Sequence, residues 1–208
     1  TGGTYTPYPD PRSHRLQLAD LARPEVQDRL RRIWQDPDSL NPARISAQVT
    51  RDVAALLAQL AKSLENGGNG VEKYKQNQPP APTSQAQVAP ETVAAYLTRC
   101  LFSMFAEDVE LLPKGAFLGL LQTHRGDPAT LQQMLRILWA DMDRGGFSAA
   151  LAKPVLHFNG KLFKGAGQDG YSLLLTPEQI DLLIKAAQSN WREVEPAIFG
   201  TLLERALD

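Results

Sequence analysis

Apolar residues recur at intervals of three and four along most of the chain, the period of helices that each bury one face. Val26, Leu30, Ile33 and Trp34 mark a first helix, with Pro24 in the position proline favours at a helix start. Asn41-Pro42 reads as a cap followed by a first-turn proline. Ile45, Val49, Val53, Leu56, Leu57, Leu60 and Leu64 then form one long stripe, with Arg44, Arg51, Asp52 and Lys62 off it, until Asn66-Gly67-Gly68 stops the helix. Pro90-Glu91-Thr92 opens a further helix. Its Val93, Tyr96, Leu97, Leu101, Phe102, Met104 and Phe105 spread over more than half the circumference, which predicts a central, buried element. A shorter helix covers Phe117 to His124. Gly126-Asp127-Pro128 starts another, with Leu131, Met134, Leu135, Leu138 and Trp139, ended by Gly145-Gly146. Thr176-Pro177-Glu178-Gln179 is a capping box ahead of Ile180, Leu183, Ile184 and Ala187. Glu195-Pro196 begins a last helix through Ile198, Phe199, Leu202, Leu203 and Leu207.

Three stretches depart from this period. Pro7, Pro9 and Pro11 alternate within Thr1 to Arg12, which predicts an extended arm, and His14 to Leu18 alternates like one short strand without a partner. Asn66 to Ala89 includes KQNQPPAPTSQAQ, a run with no large apolar residue to offset the entropy of ordering. It reads as a long flexible loop, disordered between two packed helices rather than a domain boundary. Phe147 to Leu175 is glycine-rich and irregular. The expected fold is all-α, an irregular multi-helix bundle with a short extended N-terminal arm and a long flexible loop. Residues 1–40 form the arm and a connector helix, and residues 41–208 the helical domain.

Composition narrows the function classes. With 208 residues, 43% hydrophobic and 22% charged, the chain is neither fibrous nor fully disordered and is long enough for a real core. Twenty-two basic residues against 23 acidic ones give a net charge of −1, so no global field draws the chain onto nucleic acid. The single Cys100 excludes an internal disulfide and suits a reducing, cytoplasmic setting. No run of 18 apolar residues exists to span a membrane. The opening Thr1-Gly2-Gly3, without an initiator Met or a signal pattern, reads as part of a longer protein.

Several motifs carry little chemistry. Gly165-Ala166-Gly167-Gln168-Asp169-Gly170 matches the dinucleotide string GxGxxG, but the next residues, Tyr171 to Leu175, do not open a helix, as pyrophosphate binding requires. Asp141-Met142-Asp143 starts like a calcium loop, yet Ala152 stands where the bidentate Glu belongs. His14, His124 and His157 are scattered, without a second metal ligand at helical spacing. Cys100 reads as a small buried hydrophobe. Glu107, Asp108 and Glu110 sit where a helix C-terminus disfavours carboxylates, so they are expected to cap or pair with a neighbouring element. Phe158-Asn159-Gly160-Lys161-Leu162-Phe163 and the group Trp191, Ile198 and Phe199 are apolar outside strong periodicity. Each is either core or a patch for another domain. Arg29, Arg31 and Arg32 are the local candidates for phosphate contacts.

Three blocks in order are RCLFSMFAEDVELLP (Arg99 to Pro113), FNGKLF (Phe158 to Phe163) and NWREVEPAIFGTLLERALD (Asn190 to Asp208). Together they resemble the helical spacer of MmeI-like, single-chain type II restriction–modification enzymes, with related phage-defence adenine methyltransferases sharing them. The resemblance runs from about Asn41 to Asp208, apart from the Asn66–Ala89 connection. Lys161 stands where the family usually has a second glycine. The resemblance implies a nuclease domain before the spacer, using Mg²⁺, and an adenine-specific methyltransferase domain after it, using S-adenosylmethionine. The arm would be the tail of the nuclease region. No Asn-Pro-Pro-aromatic motif for a flipped adenine occurs in this chain, so it is expected to hold no catalytic residue, cofactor or metal of its own. Its implied partners are the flanking domains and, through the parent enzyme, duplex DNA. Phe158, Asn159, Leu162, Phe163, Trp191, Ile198 and Phe199 are then the candidates for packing against the methyltransferase. The alternative is an independent helical interaction or DNA-binding module.

Overall fold

The computed structural model describes residues 16–65, 88–168 and 170–195. Expectations for the N-terminal arm, for most of the long loop and for the helix after Glu195, including Ile198 and Phe199, lie outside them. Among the described residues six α-helices are present: α1 (Pro24–Gln35), α2 (Pro42–Glu65), α3 (Pro90–Asp108), α4 (Ala116–Thr123), α5 (Pro128–Arg144) and α6 (Pro177–Ala187). The fold is mainly α-helical. No helix among the described residues is long and apolar enough to cross a membrane.

The chain divides into two compact units, Thr1–Ile45 and Ser46–Asp208. In the first, the short strand expected over His14–Leu18 falls partly outside the described residues, and a 3-10 turn over Leu18–Ala22 begins at its last residue. Gln17 itself stays extended, and its N–H donates to the Asp20 carboxylate at 3.0 Å, a local bond that closes the start of the turn. Helix α1 follows, and none of its residues is buried. The stripe that defines it stays open to solvent, with Trp34 90% exposed.

The second unit holds the core. Val53, Leu57, Leu60 and Leu64 of α2 are fully buried, as the stripe requires. Helix α3 buries nine residues on several sides, from Val93 to Ala106, and is the central element its apolar spread predicts. Asp127 caps α5, its side chain accepting from the Thr130 N–H. Both arms of the capping box at α6 form: Thr176 Oγ1 accepts from the Gln179 N–H, and Gln179 Oε1 accepts from the Thr176 N–H. The Gln179 amide also donates to Ser63 Oγ of α2 at 2.9 Å, joining two helices distant in sequence.

The segment expected to be wholly irregular contains an antiparallel pair, β1 (Gly146–Ser148) with β2 (Lys153–Val155). Gly145 makes the entry possible. Its φ is +73°, and a Cβ there would lie 3.0 Å from the His157 Cβ, so only glycine ends α5 and admits the returning chain.

Candidate functional site

The first two blocks and the described start of the third, Asn190–Glu195, meet around the C-terminal half of α3. The first contact is Arg99. A lone cation in a helix this apolar must find partners, because an unpaired buried charge is very costly. Its Nε donates to the Leu162 carbonyl at 2.9 Å and one terminal nitrogen to the Tyr171 carbonyl at 3.2 Å. The guanidinium lies 4.2 Å from the Tyr171 ring centroid, stacking distance for a cation on an aromatic face. Partial burial lowers the Arg99 pKa from its ordinary value, with Tyr171 and Cys100 opposing the shift. Burial likewise pushes the Tyr171 phenol up to about 12, which keeps it a neutral donor to the Phe163 carbonyl. One arginine thus ties the second block to the first.

The rings of these segments complete the join. Phe102 meets Phe158 at 5.7 Å and Phe163 at 5.6 Å between centroids, and Phe158 meets Phe163 at 5.9 Å, all edge to face. Beneath them Trp139 contacts Tyr96 and Tyr171, and its indole N–H donates to Ser103 Oγ at 3.0 Å.

The acidic cluster makes the second set of ties. Glu107 sits unfavourably at the end of its own helix, but it reaches the start of the next. Its carboxylate accepts from the N–H groups of Gly115, Phe117 and Leu118 at 2.9, 2.6 and 3.2 Å. These are donors that α4 cannot satisfy internally. Asp108 accepts from the Trp191 N–H at 2.6 Å, and Glu110 pairs with Arg192 at 2.8 Å. The start of the third block is thereby held to the first, and these acids cap or pair with neighbouring elements as the sequence led one to expect, Glu107 by capping α4 and Asp108 and Glu110 by holding Trp191 and Arg192.

The expected interface residues divide. Trp191 is 1% exposed and its indole N–H donates to the Ala186 carbonyl, so it fills this chain's own core. Phe163, 3% exposed, does the same. Both are corrected from docking residues to core residues, since their surfaces are already covered. Phe158 and Leu162 are half-buried and Asn159 is exposed, so these three retain surface. Ile198 and Phe199 lie outside the described residues. Arg29, Arg31 and Arg32 are all exposed on α1; Arg32 is tied to Asp28 at 2.8 Å.

The weaker motifs resolve structurally. No helix starts at the GxGxxG string, the next one opening at Pro177. Its last glycine, Gly170, has φ +74°, and a Cβ there would stand 2.5 Å from Thr92 Cγ2. Close approach to α3 explains that glycine. Cys100 is fully buried and burial pushes its thiol up to about 12. Asp141 is bonded to Arg144, and among the described residues no group of three or more His, Cys, Asp or Glu is placed to hold a metal ion.

Sequence reasoning missed Arg99, Tyr171 and the Ser103–Trp139 pair. The available signal was one arginine amid the apolar residues of the central helix. No curated protein and no solved structure matches the chain. Residues 91–163, less than half of the chain, match the family described as MmeI, helicase spacer domain. The match contains the first two blocks, α3 from its second residue, α4, α5 and the hairpin, and stops before the third block. This stretch of the chain is similar to the MmeI spacer region.

Proposed function

We propose that the chain is a non-catalytic spacer that holds a nuclease domain at a fixed position relative to an S-adenosylmethionine-dependent adenine methyltransferase in one restriction–modification enzyme. The observation that supports this most is the cross-linking of α3 and the turn after it to three other segments by Arg99, Glu107, Asp108 and Glu110. A close-packed interior compresses little, and these polar ties fix the loops that a bundle would otherwise leave free. The half-buried Phe158 and Leu162, with exposed Asn159, are the remaining candidates for contact with the methyltransferase. In this reading S-adenosylmethionine and Mg²⁺ belong to the flanking domains, which also carry the principal contacts to duplex DNA.

The test is made in the full-length enzyme, with residues 42–195 replaced by a flexible linker. Methylation should survive while cleavage is lost or scattered in position. Loss of methylation with the remaining domains still folded, or undisturbed cleavage at the original position, would overturn the proposal.

A further inference from the structure

The last described residues are anchored on the first half of α2. Ser46 Oγ donates to the Glu193 carbonyl at 2.6 Å, and the Glu195 N–H donates to Thr50 Oγ1 at 2.9 Å. Val194 between them is extended, with φ −76° and ψ 129°. Two extended residues cover about 6.6 Å and four helical residues about 6 Å. The strap Glu193–Glu195 therefore leaves parallel to α2 and in its direction.

Thr50 belongs to a stripe of small residues. Ala47, Thr50, Ala54, Ala58 and Ala61 recur at intervals of three and four on one side of α2, and all five are partly buried. The stripe lies beside the fully buried Val53, Leu57, Leu60 and Leu64, whereas Arg51, Asp52 and Lys62 on the rest of the helix are exposed. Side chains this small let a second helix axis come close.

Residues 196–208 lie outside the described residues, but their sequence has the pattern that such a stripe fits. Pro196 suits a first helical turn, and Ile198, Phe199, Leu202, Leu203 and Leu207 fall on one broad apolar side. Counted at equal rise from the Glu195–Thr50 tie, Phe199 is level with Ala54, Leu203 with Ala58 and Ala206 with Ala61. As a helix the segment would span about 20 Å, and α2 beyond Thr50 spans about 22 Å.

We infer that residues 196–208 form a helix lying parallel to α2 on Ala54, Ala58 and Ala61, with Phe199 and Leu203 filling the space those alanines leave. Ile198 and Phe199 are then used within the chain and leave the set of contacts to a methyltransferase. The contact is a property of this chain and does not depend on the spacer role, so its failure leaves that role untouched. Where that role holds, the helix carries the polypeptide about 20 Å along α2 from the Thr50 tie.

The experiment is NMR of the whole 208-residue chain with carbon-13 in its alanine methyls. Nuclear Overhauser contacts are expected from the Phe199 ring to the Ala54 and Ala58 methyls, and they should vanish in Phe199→Leu. The double variant Ala54→Gln, Ala58→Gln should keep the Leu57 and Leu60 signals in place. Its amides in 196–208 should exchange with deuterium at least tenfold faster. The inference is overturned if the ring contacts neither methyl, or if its contacts are to Phe158 and Leu162. It is overturned equally if the contacts appear only between differently labelled copies, which would make the stripe an interface between two chains. Unchanged exchange of 196–208 in the double variant overturns it as well.

Discussion

Removing the Glu107 side chain should cost far more than a surface carboxylate ordinarily does. Three N–H groups at the start of α4 converge on it, and those of Phe117 and Leu118 are partly buried. Glu107→Ala leaves them without an acceptor inside the protein. A helix cap is worth about 1 kcal/mol, and a charge-assisted bond to a buried donor about 1.5–3 kcal/mol. Partial burial and entering water reduce the sum, so a loss of about 2–4 kcal/mol is expected. Glu107→Gln keeps an acceptor but gives up the charge, and should lose about 1 kcal/mol. At about 2–4 °C per kcal/mol for a chain of this size, the alanine variant should melt roughly 5–15 °C lower. Urea denaturation gives the free energies, with an unchanged slope confirming that the same unfolding is being compared. An alanine variant within 0.5 kcal/mol of the parent protein would refute the assignment of Glu107 as the cap of α4.

The same contacts imply further outcomes. Arg99→Lys keeps the charge but cannot fork to two carbonyls while lying flat on Tyr171, so amides between Phe158 and Tyr171 should exchange with deuterium at least tenfold faster. Exchange unchanged in that segment would contradict the clamp. Cys100 should resist a thiol reagent at pH 8 for hours in the native protein and react at once in denaturant, because its thiol is fully buried and its pKa is about 12. Rapid native labelling would show the helix opening. Asp127 and Asp181 have lowered pKa values in the folded chain, through hydrogen bonds from Thr130 and Arg125 respectively. Their contribution is therefore present above the ordinary carboxylate value of about 4 and lost as pH falls through the lower folded values. The double variant Asp127→Asn, Asp181→Asn should be less stable than the parent at pH 7 and equal to it near pH 2. A difference that persists at low pH would contradict that linkage.

Elements governed by local rules were legible in the sequence. Pro24 and Pro42 start helices because proline suits a first turn, and Thr176 with Gln179 caps α6 through a pattern spanning four residues. The acids at the end of α3 were legible by their misfit with the helix dipole, which pointed to a neighbouring element without naming it. The hairpin was missed because strands of three residues show no measurable alternation, and its pairing depends on Gly145 letting His157 approach. At Leu18 the weak alternation gives way to a 3-10 turn that the Gln17–Asp20 bond closes. Arg99 was invisible as a clamp, since its partners are backbone carbonyls 63 and 72 residues away and carry no side-chain signature. Trp191 was ambiguous for a related reason: an aromatic outside a periodic helix looks the same in sequence whether its cover is its own chain or another domain.

The proposed spacer role requires this helical block to be stiff and to set a distance. Spin labels placed on the two flanking domains of the full-length enzyme, read by pulsed dipolar spectroscopy, measure that distance directly. A single narrow distribution is expected, broadening when Arg99→Ala and Glu107→Ala are combined at a temperature where the helices remain folded. A broad or multiply peaked distribution in the unaltered enzyme would contradict the claim.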